Sequence, residues 1–302
     1  MEEYDIIIIG AGPAGLTAGI YAGRRKMKTL ILERGVIGGQ MTLAHEVENY
    51  PGVEKTNGME LAKVMEQQAK KFGCTIRMEE ALDMDLKNKV ITTSNGKYKA
   101  KAVILATGGS HKKAEIENEE KFVGRGVSYC ANCDAPFFKG KRVVVVGGSD
   151  SAISAALFAA EYAKEVHLIH RREEFRAEQA NLDKMRKAKI DEVTCCIVVK
   201  IDGDKKVEKI TLEDTNTKKR REMPIDGLFI YIGTTPTTEL AKKAGVKVDK
   251  LGYIEKNDSK ETNLAGVYAA GDATGGIWQI SQAVGDGAVA AVSAYKYTQN
   301  SK

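Results

Sequence analysis

The chain has 302 residues, 43% hydrophobic and 29% charged, with a formal net charge of +5. That length favours two domains over a single core, and no dense basic tract with interleaved aromatics marks it for nucleic acid. No apolar run approaches the roughly eighteen residues needed to span a bilayer, and the acidic start Met1-Glu2-Glu3-Tyr4-Asp5 does not read as a secretory leader. Five cysteines with a single CxxC spacing do not make a secreted disulfide framework, so the expected setting is cytoplasmic, where a dithiol is catalytic more often than structural.

Residues 5–9 open on Asp5 and continue as the short apolar run Ile6–Ile9, the pattern of a strand buried on both faces of a parallel sheet. Gly10-Ala11-Gly12-Pro13-Ala14-Gly15 follows, then a helical stretch over 16–22, then a second strand over 29–32 that ends in Glu33. GxGxxG between a strand and a helix, with an acid closing the next strand, predicts a dinucleotide site. The first glycine makes the tight turn, the second admits a pyrophosphate, and the third lets helix and strand touch. The helix N-terminus then faces the phosphates, and the acid accepts from a ribose hydroxyl.

Turn-rich loops follow at 38–41 and 48–52, a helix is predicted over 59–72, and short strands over 74–105 with a hairpin turn at 94–97. The last of these strands runs into Ala106-Thr107-Gly108-Gly109. Next comes Tyr129-Cys130-Ala131-Asn132-Cys133-Asp134. Two cysteines at this spacing close a small disulfide ring or share a metal. Asp134 directly after the second is placed to exchange a proton with a leaving thiolate. A helix start there lowers a thiol pKa, which favours exchange at neutral pH. A metal needs two further ligands, and Cys74, Cys195 and Cys196 show no second CxxC and no paired histidine, so no metal is expected. The stretch 193–199, which holds Cys195 and Cys196, alternates as a strand. All three of these thiols are expected to be buried and inert, and His45, His111 and His167 to pack or lie at the surface.

The first pattern then recurs. Residues 143–146 are a strand, Gly147-Gly148-Ser149-Asp150-Ser151-Ala152 is the turn, 153–160 a helix and 166–169 the next strand. A shift of 137 residues superposes the copies without a gap and sets His170 on Glu33. The acid is replaced by His170-Arg171-Arg172, with Arg176 one helical turn on. An arginine cluster suits a 2′-phosphate where an acid suits a free hydroxyl, so the second site reads as one for NADPH. Ser149 stands where the first copy has its second glycine. A strand at 228–232, a strand at 266–270 ending in Gly271-Asp272, and a helix over 281–298 complete the chain. The expected fold is α/β, with two Rossmann-like three-layer dinucleotide-binding domains, the second inserted into the first. The outer domain owns 1–112 and 242–302, and the inner one 115–240, with the chain crossing at 111–114 and 237–240. Because dithiol and nicotinamide ride on one domain, alternation about those crossings is expected.

The ordered set GAGPAG (10–15), GGQ (38–40), ENYPG (48–52), ATG (106–108), CxxCD (130–134), HRRxxFRA (170–177) and AGD (270–272) resembles the low-molecular-weight thioredoxin reductases of bacteria and archaea over the whole length. The resemblance implies FAD in the split domain, NADPH in the inserted one, a redox-active Cys130–Cys133 pair, a homodimer, and a thioredoxin or glutaredoxin-like partner protein. It implies that Gly10, Gly12, Pro13, Ala14 and Gly15 flank the FAD pyrophosphate, and that Glu33, with Arg34 beside it, meets the adenosine ribose. Gly39, Gln40 and Asn49 approach the flavin from loops, Ala106, Thr107 and Gly108 line the next turn, and Asp272 after Gly271 bonds the ribityl chain. Gln279 and Ile280 open the final helix, whose N-terminus faces the flavin ring. Gly147, Ser149, Asp150, Ser151, His170, Arg171, Arg172 and Arg176 form the NADPH side. The family commonly has Arg-Gln before the final helix, and Trp278-Gln279 stands here.

The implied activity is thioredoxin-disulfide reduction. Electrons pass from NADPH through FAD to the Cys130–Cys133 disulfide and on to a partner's disulfide, with Cys133 on the flavin side in the family pattern. A second reading keeps fold and dithiol but draws electrons from NADH, ferredoxin or a deazaflavin. A third is a flavin-binding sensor without turnover, against which the intact CxxCD speaks.

Overall fold

The computed structural model describes residues 1–44, 47–188 and 190–300, with the backbone alone at Asn132, Cys133 and Thr234. It divides into two compact units, Met1–Ser110 with Thr235–Lys302, and His111–Thr234. The second crossing therefore falls several residues before 237–240. The physical reason is that Leu240, Ala241 and Val246 pack with Ile9, Leu32 and Leu105 in the core of the first unit.

In the first unit the strands Thr75–Met78, Thr29–Glu33, Glu2–Ile9 and Gly96–Leu105 lie side by side in that order, all parallel. Val267–Ala269 pairs in parallel with the C-terminal half of Gly96–Leu105, and an antiparallel meander, Ala81–Asp85 with Val90–Thr93, pairs with its N-terminal half. The isoleucine run explains the layering. Side chains alternate across a strand, so Ile6 and Ile8 join the helix-covered face with Leu16, Leu61 and Ala290. Ile7 and Ile9 join the opposite face with Met84, Ile91 and Val103. Burial of each such side chain contributes about 1.5–3 kcal/mol. The final helix, Ile280–Asn300, crosses the Pro13–Arg24 helix at Gly287, where a Cβ would lie 2.1 Å from the Ala14 carbonyl oxygen. No side chain larger than hydrogen lets the two helices meet there.

The second unit repeats the plan. Asp191–Val193, Glu165–Ile169, Arg142–Gly147, Gly227–Tyr231 and Val127–Ser128 form a parallel sheet in that order. The valine run splits as the isoleucines do. Val143 and Val145 face Ile153, Ala156 and Met185 of the helices Asp150–Ala160 and Gln179–Lys187. Val144 faces the antiparallel sheet Cys196–Asp202, Lys209–Asp214 and Arg220–Pro224 through Ile201 and Leu212. Both units are Rossmann-like, and the chain is α/β as the two glycine turns predict.

One strand departs from expectation. The alternation over 193–199 reads as continuous, but the strand breaks between Val193 and Cys196, with Cys195 at φ +53. The chain leaves the parallel sheet there and enters the antiparallel one, and the left-handed residue makes the corner. Cys195 is consequently half-exposed, not buried. Among the described residues no helix is long and apolar enough to cross a membrane.

Candidate active site

The first glycine turn is shaped by contact. Gly10 has φ +104, and a Cβ on it would lie 2.2 Å from the Ala106 carbonyl oxygen; one on Gly15 would lie 1.9 Å from the Gly10 oxygen. Both positions tolerate only hydrogen. Gly12 is different, because a Cβ there would meet nothing within 4 Å, so the space in front of the helix is open. Gly12 is also the N-cap of Pro13–Arg24 and offers no side-chain cap, which leaves the first N–H groups of that helix for an anion. Glu33 accepts from Ala11 N at 2.7 Å through one oxygen and from Gly35 N at 2.7 Å through the other. Arg34 is exposed and pairs with Glu80 at 3.4 Å.

Of the loops expected near a flavin, the one carrying Asn49 meets the start of the final helix. Asn49 Nδ2 donates to Gln279 Oε1 at 3.0 Å, one residue before that helix begins. Gln40 is exposed on the short turn Gly39–Leu43, and Thr107 Oγ1 donates to the Thr237 carbonyl at 2.6 Å. Trp278 takes φ +57, unusual for a bulky residue. Its indole packs edge-to-face on Tyr253, with ring centroids 5.9 Å apart, and a Cβ on Gly109 would lie 2.9 Å from its ring. Gln282 holds the loop before it, accepting from Ile277 N at 2.6 Å and donating to the Gly275 carbonyl at 2.8 Å.

Asp272 is mostly out of water, and among the described residues no donor bonds its carboxylate. Burial, with a smaller contribution from the Asp286 carboxylate, pushes its pKa up to about 6. Asp286 itself accepts from Gly271 N at 3.2 Å and pairs with Lys260 Nζ at 2.6 Å, both side chains nearly buried. The sequence does not announce Lys260, Asp286, Tyr253 or Gln282, which carry no motif. The small spacing of Asp272 and Asp286 about the final helix start is the one available signal.

In the second turn a Cβ on Gly147 would lie 2.4 Å from the Tyr231 carbonyl oxygen, the counterpart of the Gly10 contact. Ser149 caps the helix Asp150–Ala160 by position alone, without a side-chain bond, and Ser151 is exposed. His170 fills the space over Gly148, where a Cβ would lie 2.2 Å from its ring, and stacks on Phe175 at 5.2 Å. Its Nε2 is buried with no hydrogen-bond partner among the described residues, and burial pushes its pKa below the usual histidine value. Arg171, Arg172 and Arg176 are exposed and make no ion pair among the described residues. Arg176 N donates to the Gly148 carbonyl at 2.6 Å. Asp150 turns aside: its Oδ1 accepts from Glu178 N at 2.8 Å and Asn181 Nδ2 at 2.7 Å.

Cys130 is disulfide-bonded and precedes the four-residue helix Ala131–Asp134. The Cys133 side chain lies outside the described residues, as does His45. Ala131 N donates to the Tyr231 hydroxyl at 2.8 Å, and Cys130 N to Ser128 Oγ at 3.0 Å. Tyr129 donates to the buried Glu119, which also accepts from Ala114 N and Ile116 N. His111 stacks on Tyr129 and meets Tyr231 edge-on. Asp134 is half-buried. The remaining thiols are free. Cys74 is buried against the Gly19 carbonyl, and burial pushes it up to about 11; burial also raises Cys196. His167 bonds Asp191 at 2.7 Å. Among the described residues no cluster of three or more His, Cys, Asp or Glu side chains is arranged for a metal.

Each unit carries a glycine turn and the second also carries a disulfide, and the family comparison decides what that combination belongs to. The model of the pyridine nucleotide-disulphide oxidoreductase family matches residues 4–287. The chain belongs to that family. It is 43% identical to a thioredoxin reductase of Listeria innocua over 99% of this chain and 95% of that one. The crystal structure of Lactococcus lactis thioredoxin reductase superposes with a TM-score of 0.95 at 38% identity, covering 98% of this chain and 99% of that one. That of T. acidophilum thioredoxin reductase superposes with a TM-score of 0.94 at 38% identity and full coverage of both chains.

As a member of the family, the protein is a flavoprotein oxidoreductase that works with a flavin and a pyridine nucleotide. The residues present fit both groups. The open face at Gly12 and the uncapped helix behind it suit a pyrophosphate, and Asp272 lacks a donor that a ligand hydroxyl would supply. On the other unit, His170 Nε2 has no partner among the described residues, and Arg171, Arg172 and Arg176 nearby in the chain are exposed without an ion pair among those residues.

Proposed function

We propose that the protein is a thioredoxin-disulfide reductase that uses FAD, takes electrons from NADPH and reduces thioredoxin through Cys130 and Cys133. The observation that carries the reading is the disulfide at Cys130, held at a helix start beside Asp134 in a chain with two dissimilar nucleotide turns. The names of the relatives point the same way.

When bound, FAD would supply the two-electron chemistry that links NADPH to the Cys130–Cys133 disulfide. The residues of the chain prepare that chemistry. The N–H groups behind Gly12 bind the FAD pyrophosphate, Glu33 orients its adenosine ribose, and Asp272 accepts from a ribityl hydroxyl. The Ile280–Asn300 helix directs its positive end toward the ring and favours negative charge there. Trp278, locked against Tyr253, closes the ring edge. On the other unit Arg171, Arg172 and Arg176 select the 2′-phosphate of NADPH. In the disulfide exchange one cysteine thiolate attacks the thioredoxin disulfide. A mixed disulfide forms, and the second cysteine resolves it as thioredoxin leaves with two thiols. Asp134 holds the proton for the departing thiolate. The working form is proposed to be a cytoplasmic homodimer.

The test compares flavin bleaching by NADPH, NADH and reduced ferredoxin, followed by thioredoxin-dependent reduction of DTNB. NADPH should bleach fastest, and Cys130→Ser should abolish DTNB reduction while leaving bleaching intact. Faster bleaching by ferredoxin would reassign the donor. DTNB reduction that survives Cys130→Ser would sink the disulfide route.

A further inference from the structure

An acid in the first turn of a helix that faces a pyrophosphate is electrostatically awkward, because it adds negative charge where the helix would attract an anion. Asp150 occupies that position, and its carboxylate is committed elsewhere. A single oxygen, Oδ1, accepts from Glu178 N at 2.8 Å and from Asn181 Nδ2 at 2.7 Å. Glu178 is the N-cap of Gln179–Lys187 and makes no side-chain cap bond, so Asp150 supplies that helix start with an acceptor from outside.

The consequence falls on what lies between. Residues 170–178 carry His170, Arg171, Arg172 and Arg176 and form no helix or strand beyond one isolated bridge, Ser149 with Arg176. Most of the segment is exposed. It is tied to the glycine turn at three points. The His170 ring lies over Gly148, Arg176 N donates to the Gly148 carbonyl at 2.6 Å, and Asp150 holds Glu178 and Asn181. Residues 170–172 are also held from the other side, His170 N donating to the Val193 carbonyl at 2.9 Å and Cys196 N to the His170 carbonyl at 3.1 Å, so the Asp150 tie matters most for the irregular stretch 173–178 that carries Arg176 and abuts Arg172.

We propose that Asp150 is a latch for selectivity. It does not touch the nucleotide, but holds the segment 170–178 over the glycine turn so that its arginines meet a 2′-phosphate. The latch rests on the NADPH reading above. It makes Asp150 a positioning residue whose acceptor oxygen matters and whose charge does not.

The test uses the flavin-loaded full-length protein and measures binding of 2′,5′-ADP and of 5′-AMP by calorimetry. The ratio of their dissociation constants reports the 2′-phosphate alone. Wild type should prefer 2′,5′-ADP. Asp150→Ala should cut that preference about tenfold, a change of about 1.4 kcal/mol, with 5′-AMP affinity little changed. Asp150→Asn keeps an acceptor for both donors and should retain the preference to within about twofold. Asn181→Ala removes one donor, leaves Asp150 in place, and should give a smaller loss. It serves where Asp150→Ala fails to fold. A wild-type preference that survives both alanine variants overturns the latch. Equal loss of both ligands overturns it too, since that marks a general structural role. A preference lost in Asp150→Asn as fully as in Asp150→Ala assigns the effect to charge and also overturns it. A wild type with no preference for 2′,5′-ADP sinks the NADPH reading itself, and the latch with it.

Discussion

In the first glycine turn the residue after the leading glycine is Ala11, and its N–H is held by Glu33. In the second the equivalent residue is Gly148, and the space over it is filled by the His170 ring. The helix opens on Pro13 in one copy, where the absent N–H needs no partner, and on Asp150 in the other, where the carboxylate is turned away to Glu178. The backbone device is the same, since a Cβ on Gly10 would lie 2.2 Å from the Ala106 oxygen and one on Gly147 2.4 Å from the Tyr231 oxygen. The reader at the end of the second strand is what differs most in chemistry. An acid that already accepts from the main chain has remaining lone pairs for hydroxyls, whereas a ring followed by exposed arginines leaves their donors for a phosphate. Under the proposed reading, the residue at the end of the second strand is what would fit each turn to its own nucleotide.

The harshest way to break the comparison is Gly10→Ala. A Cβ 2.2 Å from a backbone oxygen, at φ +104, should cost about 3 kcal/mol and leave the purified protein colourless. Urea unfolding and the flavin absorbance of the isolated protein check this. Next in size, Arg172→Glu should weaken 2′,5′-ADP binding about a hundredfold, since it replaces a phosphate donor with a like charge. Flavin content, which belongs to the other reader, should not change. A fall in flavin content would show that the two readers are not independent.

The gentlest probe is Asp272→Asn. A carboxyl raised to about 6 favours the fold in its protonated form. Its contribution is therefore present in full below the unfolded value near 3.8 and is lost as pH rises through about 6. Flavin-free wild type should lose about 1–2 kcal/mol from this group between pH 4 and pH 7, after allowance for the water that still reaches it. Asp272→Asn should flatten that slope and hold FAD less tightly. Thermal melts of the flavin-free protein across that range, with FAD fluorescence titration, read both effects. An unchanged slope would remove Asp272 from the account.

Much of the fold is legible in the sequence, for a physical reason. Glycine turns, the alternating Ile6–Ile9 and Val143–Val146 runs, and the arginine cluster are local patterns, and each is fixed by sterics or charge within a few residues. What escaped depends on residues far apart in sequence. Ala131 N finds the Tyr231 hydroxyl a hundred positions away, and Lys260 finds Asp286 across the final helix start. Cys195 looked like a strand residue because its neighbours alternate, and only the change of sheet forces its left-handed corner. Asp150 falls in the glycine turn and so reads as a nucleotide ligand, yet its direction is set by Glu178 and Asn181. A motif specifies position, and packing specifies where the side chain points.

The central claim is that electrons entering at the arginine-flanked turn reach the dithiol through the flavin. Anaerobic titration of the purified protein with NADPH tests it most directly. Wild type should take up about four electrons per protomer, two for the flavin and two for the disulfide, and Cys133→Ser about two. An uptake of two electrons in both would contradict the account.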